Sequence, residues 1–500
     1  MSSDWIVDAL QQGLQRESSE ALHRQLYHRL RDWIRQGRLR GGTTLPASRQ
    51  LANALRLGRN TVLAAYDQLL AEGYLEARHG SGTYVSDVFE PHRSPQPAAT
   101  PTLPGLSRRG QLMSQHSKLP QGLYGAFAPG VPALDAFPQQ QWQRLLARHN
   151  KQPGPEWLSY SQDGGLTALR EVLCDYLCQS RSVQCRPEQI LITQGAQQAL
   201  ELCARLLADP GDTVWLEEPG YAGAQAAMAA ADLDIVPVPV DSEGLNPAAA
   251  PSSQTPKLIY ITPSHQYPSG VVMSLARRLE LLKLAETHQS WIIEDDYDSE
   301  FRYRSQPLAS LQGLANGGTV IYLGTFSKVM YPGLRLGYLV LPEALIDPFR
   351  ASYARLYREG HYPIQAALAD FIAEGHFARH IRRMRELYQI RQTLLRETLL
   401  GRLGERIELS PGEAGMHLVA TLPDTIDEQH LSAIAAREGL WLRPLGRHFW
   451  GPATRRGLVL GYAGVPEAEL RRSALRLAEL FKQEERRYGS SNPEPKERSR

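Results

Sequence analysis

The sequence predicts an α/β protein in which a small helical module precedes a larger body of strands alternating with helices. Three observations predict it. The 500 residues are 42% hydrophobic and 22% charged, ordinary globular usage at a length that suits about three domains. From Gln189 onward, short apolar runs alternate with helical periodicity, the pattern of a mostly parallel sheet covered by helices. Between Glu20 and Ser86, ten arginines and no lysine stand against five acids, leaving +5 on a chain whose whole net charge is +2. A basic end on a balanced body is the electrostatic footprint of a module that meets a polyanion.

Composition also excludes classes. No apolar run reaches the 18 or more residues of a membrane span, and Asp4 and Asp8 stand where a signal peptide needs a basic start. A cytoplasmic protein, away from membranes, is expected. The four cysteines, Cys174, Cys178, Cys185 and Cys203, show no paired CxxC spacing. They read as buried, reduced thiols, and no metal is expected.

In the basic segment, Leu22, Leu26, Leu30, Trp33 and Ile34 follow helical spacing until Gly37, Gly41 and Gly42 stop it. A second short helix fits Ser48 to Leu55. A third runs from Asn60 to about Ala71, with Val62, Ala65, Tyr66, Leu69 and Leu70 as its inward stripe. Tyr74 to Ala77 and Thr83 to Val85 then read as a hairpin around a glycine-rich tip. Three helices and a hairpin make a winged helix-turn-helix.

The stretches Leu45-Pro46-Ala47-Ser48-Arg49-Gln50-Leu51-Ala52, Gly58-Arg59-Asn60-Thr61-Val62, Glu72-Gly73-Tyr74-Leu75 and Gly80-Ser81-Gly82-Thr83-Tyr84-Val85 resemble the GntR-type DNA-binding domain. The family has Ser where Ala47 and Gly58 stand. Gly58 still caps a helix at a cost of a few tenths of a kcal/mol against Ser. Arg59, Asn60 and Thr61 open the third helix, where a recognition helix presents base-reading side chains to the major groove. Arg49, Arg78 and His79 are placed for phosphate or minor-groove contact.

Residues 87–122 hold six prolines and no apolar periodicity, the composition of a linker. The expected division is 1–86 for the winged helix, 87–122 for the linker, 123–488 for the body and 489–500 for a disordered tail.

In the body, strands are expected at Gln189–Thr193, Thr213–Glu217, Leu258–Thr262, Trp291–Glu294 and Val320–Gly324. Helices fit Ala196–Leu207, a segment from Ala222, and Ala276–Glu286. A ligand of such a sheet lies beyond the carboxyl ends of its strands. There stand Thr193-Gln194-Gly195-Ala196 at a helix start, Glu218-Pro219-Gly220-Tyr221, Asp295-Asp296-Tyr297, and Gly324-Thr325-Phe326-Ser327-Lys328. A phosphate seeking helix N–H groups, a flat ring, a ring nitrogen needing a carboxylate and an aldehyde needing a lysine are the parts of pyridoxal 5'-phosphate.

On these residues the segment from about Tyr124 to Tyr488 resembles a fold-type I pyridoxal-phosphate aminotransferase, with a large mostly parallel-sheet domain and a smaller α/β C-terminal domain. The resemblance implies that Lys328 forms the Schiff base, Asp295 pairs with the ring nitrogen and Tyr297 bonds the ring phenolate oxygen. It further implies that Tyr221 stacks on the ring while Gly195, Ala196, Thr325 and Ser327 hold the phosphate. Arg335 completes the phosphate clamp or reaches an effector carboxylate.

The two resemblances in this order identify a member of the MocR-type regulators. They imply promoter double-stranded DNA as one partner, a small-molecule amine, amino acid or cofactor-like effector as another, and a head-to-tail homodimer. Two departures favour sensing over turnover: Ser264-His265-Gln266-Tyr267-Pro268-Ser269-Gly270 has Tyr267 where an aminotransferase has Asn, and Gly457-Leu458-Val459-Leu460-Gly461-Tyr462 lacks the substrate-carboxylate arginine. The alternative is an active aminotransferase acting on an amino acid. Members sensing 4-aminobutyrate carry an arginine where Gly223 stands, which speaks against 4-aminobutyrate as the effector; Arg443, Arg447 or Arg456 can still supply a cation.

Overall fold

The computed structural model describes residues 4–78, 82–87, 105–116, 122–151, 153–161, 163–303, 309–315 and 318–491. The chain divides into two compact units, Met1–Gly105 and Leu106–Arg500.

The first unit is built from α1 (Asp4–Gly13), α2 (Leu22–Arg35), β1 (Thr44–Leu45), α3 (Ser48–Leu55), α4 (Arg59–Ala71), β2 (Leu75–Arg78) and β3 (Gly82–Val85). Leu26, Leu30 and Ile34 from α2 meet Leu51 and Leu55 from α3 and Val62, Tyr66 and Leu69 from α4 in one core. The helical stripes read from sequence are the buried faces. Helix α3 ends on Arg56 in the left-handed region (φ 48°), and Leu57 N–H donates to the Ala52 carbonyl, which swings the chain into α4. The hairpin pairs Leu75 with Val85 and Arg78 with Gly82, and β1 adds to its far edge. Helix α1, which sequence reading left without structure, buries Ile6 and Leu10, one turn apart, in the same core.

The second unit opens with α5 (Arg108–His116), a helix inside the segment expected to be a linker. It continues with α6 (Gln139–Asn150), α7 (Thr167–Arg181), β4 (Ile190–Thr193), α8 (Ala196–Leu207), β5 (Thr213–Glu218), α9 (Ala222–Ala230), β6 (Asp234–Asp241), β7 (Gly244–Leu245), β8 (Leu258–Ile261), α10 (Leu275–His288), β9 (Trp291–Asp296), α11 (Leu311–Leu314), β10 (Val320–Thr325) and β11 (Gly337–Val340). The strands form one sheet in the order β4-β11-β10-β9-β8-β5-β6-β7. From β10 to β6 all neighbours run parallel, and β11 runs against both β10 and β4. Parallel strands are buried on both faces and therefore read as unbroken apolar runs. Leu258 and Tyr260 pack toward α8 and α9, whereas Ile259 and Ile261 pack toward α10.

Helices α12 (Ile346–Leu356), α13 (Tyr362–Ala373) and α14 (His376–Leu403) lead to the smaller sheet. That sheet comprises β12 (Glu408–Leu409), β13 (His417–Thr421), β14 (Arg443–Pro444) and β15 (Gly457–Gly461), in the order β12-β13-β15-β14, wholly antiparallel. Helices α15 (Glu428–Arg437) and α16 (Glu467–Ser491) pack with it, and α16 runs through 489–491, where a disordered tail was expected. Residues 492–500 lie outside the described residues, as does most of the 87–122 segment. Among the described residues no helix is long and apolar enough to cross a membrane.

Candidate functional site

In the first unit the residues expected to meet DNA lie on α3, on α4 and on the hairpin. Gly58, in extended conformation, caps α4, so Arg59, Asn60 and Thr61 occupy its first turn. Arg59 and Asn60 are exposed, as are Arg49 on α3 and Arg78 on the hairpin. The Arg78 guanidinium lies 4.7 Å from the centre of the Tyr84 ring, which steadies it beside the wing. His79 lies outside the described residues.

In the second unit a cavity of about 310 Å³ opens at the carboxyl ends of β4, β5, β8, β9 and β10. Gly195, Ala196, Tyr221, Asp295, Tyr297, Thr325, Ser327, Lys328 and Arg335, the nine residues expected from sequence around the cofactor, all line it. Gly195 has φ 91° and ψ 170°, a backbone region essentially closed to other residues, and it aims the first turn of α8 at the cavity. The amides of a first helical turn have no carbonyl partner of their own, so this turn favours an anion.

Neighbours on a strand face opposite ways, and Asp295 and Asp296 at the end of β9 show it. Asp296 turns into the core, where Tyr322 OH donates to it at 2.5 Å and Arg181 Nε lies 3.2 Å away. Asp295 turns into the cavity. Its Oδ2 accepts from Tyr260 OH at 2.7 Å, while its Oδ1 is buried with no partner. Burial pushes the Asp295 carboxyl up to about 7 against the Tyr260 hydrogen bond. The site thus holds a buried acceptor that lacks a donor.

Lys328 Nζ donates to the Gly130 carbonyl at 3.1 Å. Burial pulls its pKa below the ordinary lysine value, opposed by Asp298 and Asp295, which leaves the amine easier to deprotonate for attack on a carbonyl. A Cβ at Gly130, whose φ is 70°, would stand 2.6 Å from Nζ, so a side chain there would push the lysine nitrogen from this position.

Sequence reading missed a cluster beneath Tyr297. His265 Nδ1 lies 3.1 Å from both Asp298 oxygens and 3.0 Å from Tyr297 OH. One ring nitrogen has one in-plane position, either a proton or a lone pair. Because Asp298 occupies it, Nδ1 cannot also accept from Tyr297, and the Tyr297 hydroxyl proton is left to donate elsewhere. His417, on β13, lies tilted against His265 with ring centres 5.2 Å apart and donates from Nε2 to the Pro268 carbonyl at 2.9 Å. Burial drops its pKa to about 3, so it stays neutral. Tyr260, Asp298, Tyr267 and His417 also line the cavity. Glu217, Thr262 and Gln266 buttress it from below through Thr262 Oγ1 and Gln266 Nε2, both donating to Glu217 Oε2.

Of the three candidate effector cations, Arg456 is exposed and donates to the Asp424 carbonyl. Arg443 is half-buried, donates to the Gly122 carbonyl at 2.8 Å and acts electrostatically on Tyr267 of the cavity. Arg447 is exposed beside it on the same segment.

A family model for aminotransferase class I and II matches residues 133–477, and one for bacterial regulatory proteins of the gntR family matches residues 22–85. The chain is 41% identical to the probable rhizopine catabolism regulatory protein MocR of Rhizobium meliloti, over 94% of this chain and 95% of that protein. Among solved structures, kynurenine aminotransferase of Pyrococcus horikoshii superposes with a TM-score of 0.66 at 28% identity, covering 76% of this chain and 95% of its own. The α-aminoadipate aminotransferase LysN of Thermus thermophilus, in complex with N-(5'-phosphopyridoxyl)-L-leucine, gives the same TM-score, identity and coverage. Two domain matches in this order, together with a relative aligned almost end to end, place the chain in the MocR-type regulators, a GntR-family winged helix joined to an aminotransferase class I and II body.

Proposed function

We propose that this protein is a transcriptional regulator that binds promoter DNA through its winged helix and senses an amine or amino acid through pyridoxal 5'-phosphate held in the body. The observation that carries the cofactor reading is the unpartnered Asp295 Oδ1, buried in a cavity that also offers an amine and a helix N-terminus. A protonated ring nitrogen is the donor this oxygen lacks. When bound, the cofactor supplies an aldehyde that condenses with amines and a ring that withdraws electrons.

The chain's own residues do the rest. Lys328 holds the cofactor covalently; Gly195, Ala196, Thr325 and Ser327 receive its phosphate, with Arg335 as counter-charge; Tyr221 lies against the ring. Tyr297 presents its free hydroxyl proton to the ring oxygen, because His265 and Asp298 leave it no other use. An effector carboxylate is met by Arg443, the one of the three candidate cations that acts on Tyr267 of the cavity. Strand β15, buried throughout, offers no arginine to a substrate carboxylate, which favours sensing over transamination. The body acts as a dimer, arranged head to tail, so that two winged helices serve one operator.

The protein loaded with pyridoxal 5'-phosphate should be yellow and lose its colour on borohydride reduction, with the adduct on Lys328. Lys328→Ala should abolish the covalent link and leave the circular-dichroism spectrum unchanged. A protein that stays colourless removes the cofactor reading, and sustained turnover with an amino donor makes it an enzyme.

A further inference from the structure

Three cysteines meet at the end of α7, away from the cofactor cavity. Cys174 and Cys178 stand one helical turn apart on the same face of α7. The helix stops at Ser182, whose left-handed backbone (φ 54°) turns the chain back and lays Cys185 against them. Cys174 Sγ is 3.7 Å from Cys185 Sγ, and the three sulfurs all lie within 4.8 Å of one another. None is in a disulfide. Spacing along the chain pairs only two of these residues and gave no reason to expect a metal; the chain reversal supplies the third.

We propose that Cys174, Cys178 and Cys185 form a binding site for one thiophilic cation of the zinc(II) class, held by three thiolates with a fourth position open to solvent. A tetrahedral ion with metal–sulfur bonds of about 2.3 Å needs its sulfurs about 3.8 Å apart. The Cys174–Cys185 pair already meets this. Cys178 is exposed, so its side chain can rotate to close the remaining gap, and its side of the cluster is the way in. The Cys185 carbonyl oxygen, 3.3 Å from Cys174 Sγ and 3.9 Å from Cys178 Sγ, is a hard donor at the same point.

Two other roles for clustered cysteines fit less well. A nucleophilic or redox-sensing thiol needs positive charge beside it to form the thiolate. Here burial holds the Cys174 and Cys185 thiols up; the hydrogen bond from Cys185 draws Cys174 down, but Cys178 and Asp175 push Cys174 up, Cys174 and Cys178 push Cys185 up, and none of these groups is a cation. Only a cation placed among the sulfurs reverses that field. Binding exchanges each S–H proton for a metal–sulfur bond, so one ion releases three protons and no oxidant is required. The bound ion would tie the reversal that precedes β4 to α7, and β4 is the strand that delivers Gly195 to the cavity.

The test is titration of the reduced, full-length protein with cadmium(II) alone, followed by the ultraviolet thiolate-to-cadmium charge-transfer band. One ion per chain is expected. Cys185→Ser and Cys178→Ser should each weaken binding by about tenfold or more, whereas Cys203→Ser, a buried cysteine of α8, should leave it unchanged. Because Cys178 is exposed, its variant loses a ligand without opening a hole in the core, so a folded readout is secured even if Cys185→Ser is unstable. Absence of the band in the parent protein, or an undiminished band in Cys178→Ser, overturns the site.

Discussion

The Asp298 carboxylate holds His265 Nδ1 at 3.1 Å through both of its oxygens, and by doing so it decides the direction of a third group's proton. Tyr297 touches the same nitrogen but is barred from donating to it. The acid therefore works on the cavity at one remove, through the tyrosine hydroxyl. Removing that donor from the ring oxygen should make the lysine-linked cofactor hold its proton more tightly. We expect Tyr297→Phe to raise the pH midpoint of the visible band by about one unit, equivalent to about 1.4 kcal/mol. Asp298→Leu frees Nδ1 to accept from Tyr297 but also removes a charge that favours the protonated Lys328 nitrogen, so its net rise should be smaller, and the double variant should match Asp298→Leu alone. Additive shifts would show that Asp298 acts independently of Tyr297.

Asp295 gives a pH dependence of defined sign. Its carboxyl sits at about 7 in the fold against an ordinary 3.8, so between these values the folded cofactor-free protein holds a proton that the unfolded chain releases. Stability from this group is present below about pH 4 and is lost as pH rises toward 7. Asp295→Asn does not titrate. The variant should gain stability relative to its parent as pH is raised from about 4 to 7 when melted without cofactor, and should bind pyridoxal 5'-phosphate more weakly. A pH-independent difference in melting temperature would sink the assignment.

Gly195→Ala probes the helix start that faces the cavity. The nearest atom to an added Cβ is Arg335 Cζ at 3.8 Å, so the cost is backbone strain at φ 91° and not collision. We expect a loss of about 1 to 3 kcal/mol, read by denaturant unfolding, together with weaker cofactor binding.

On DNA, Arg59→Ala should reduce discrimination between operator and random sequence by about 1 to 3 kcal/mol, as for loss of a base contact. Arg49→Ala should weaken both about equally and flatten the salt slope. Gel-shift titrations at several salt concentrations separate the two. Equal losses for Arg59 on both DNAs would restrict it to phosphate contact.

If a dimer presents two winged helices to one operator, helical phase matters. Inserting five base pairs between half-sites should weaken binding, and ten should partly restore it. Full-length protein indifferent to both insertions would remove the paired-site reading.

The order of strands and helices around the large sheet was legible because buried parallel strands are apolar runs and their ends carry chemistry-bearing residues. Gly195, Asp295, Lys328 and Arg335 could be named for that reason. What escaped was what the chain brings together from afar. His417 reaches the cavity from the smaller sheet, and nothing local in its sequence separates it from a core histidine. His265 and Asp298 were visible only as a departure from a motif and as the residue after Asp-Asp-Tyr; their pairing across 33 positions is a property of the fold. Helix α1 was missed because Ile6 and Leu10 are too few to make a stripe without the core they complete. Helix α5 formed in a proline-bearing segment whose composition outweighed its short run of helix-favouring residues.

The hydrophobic cluster that includes Ile6, Trp33 and Val85 draws on no described residue beyond Val85. The winged helix therefore carries a complete hydrophobic core of its own. The same separation has an evolutionary reading. Substitutions that retune which promoter is recognised need not disturb the pocket that meets the small molecule, so operator preference and ligand preference are free to drift, or to be exchanged between relatives, as independent traits.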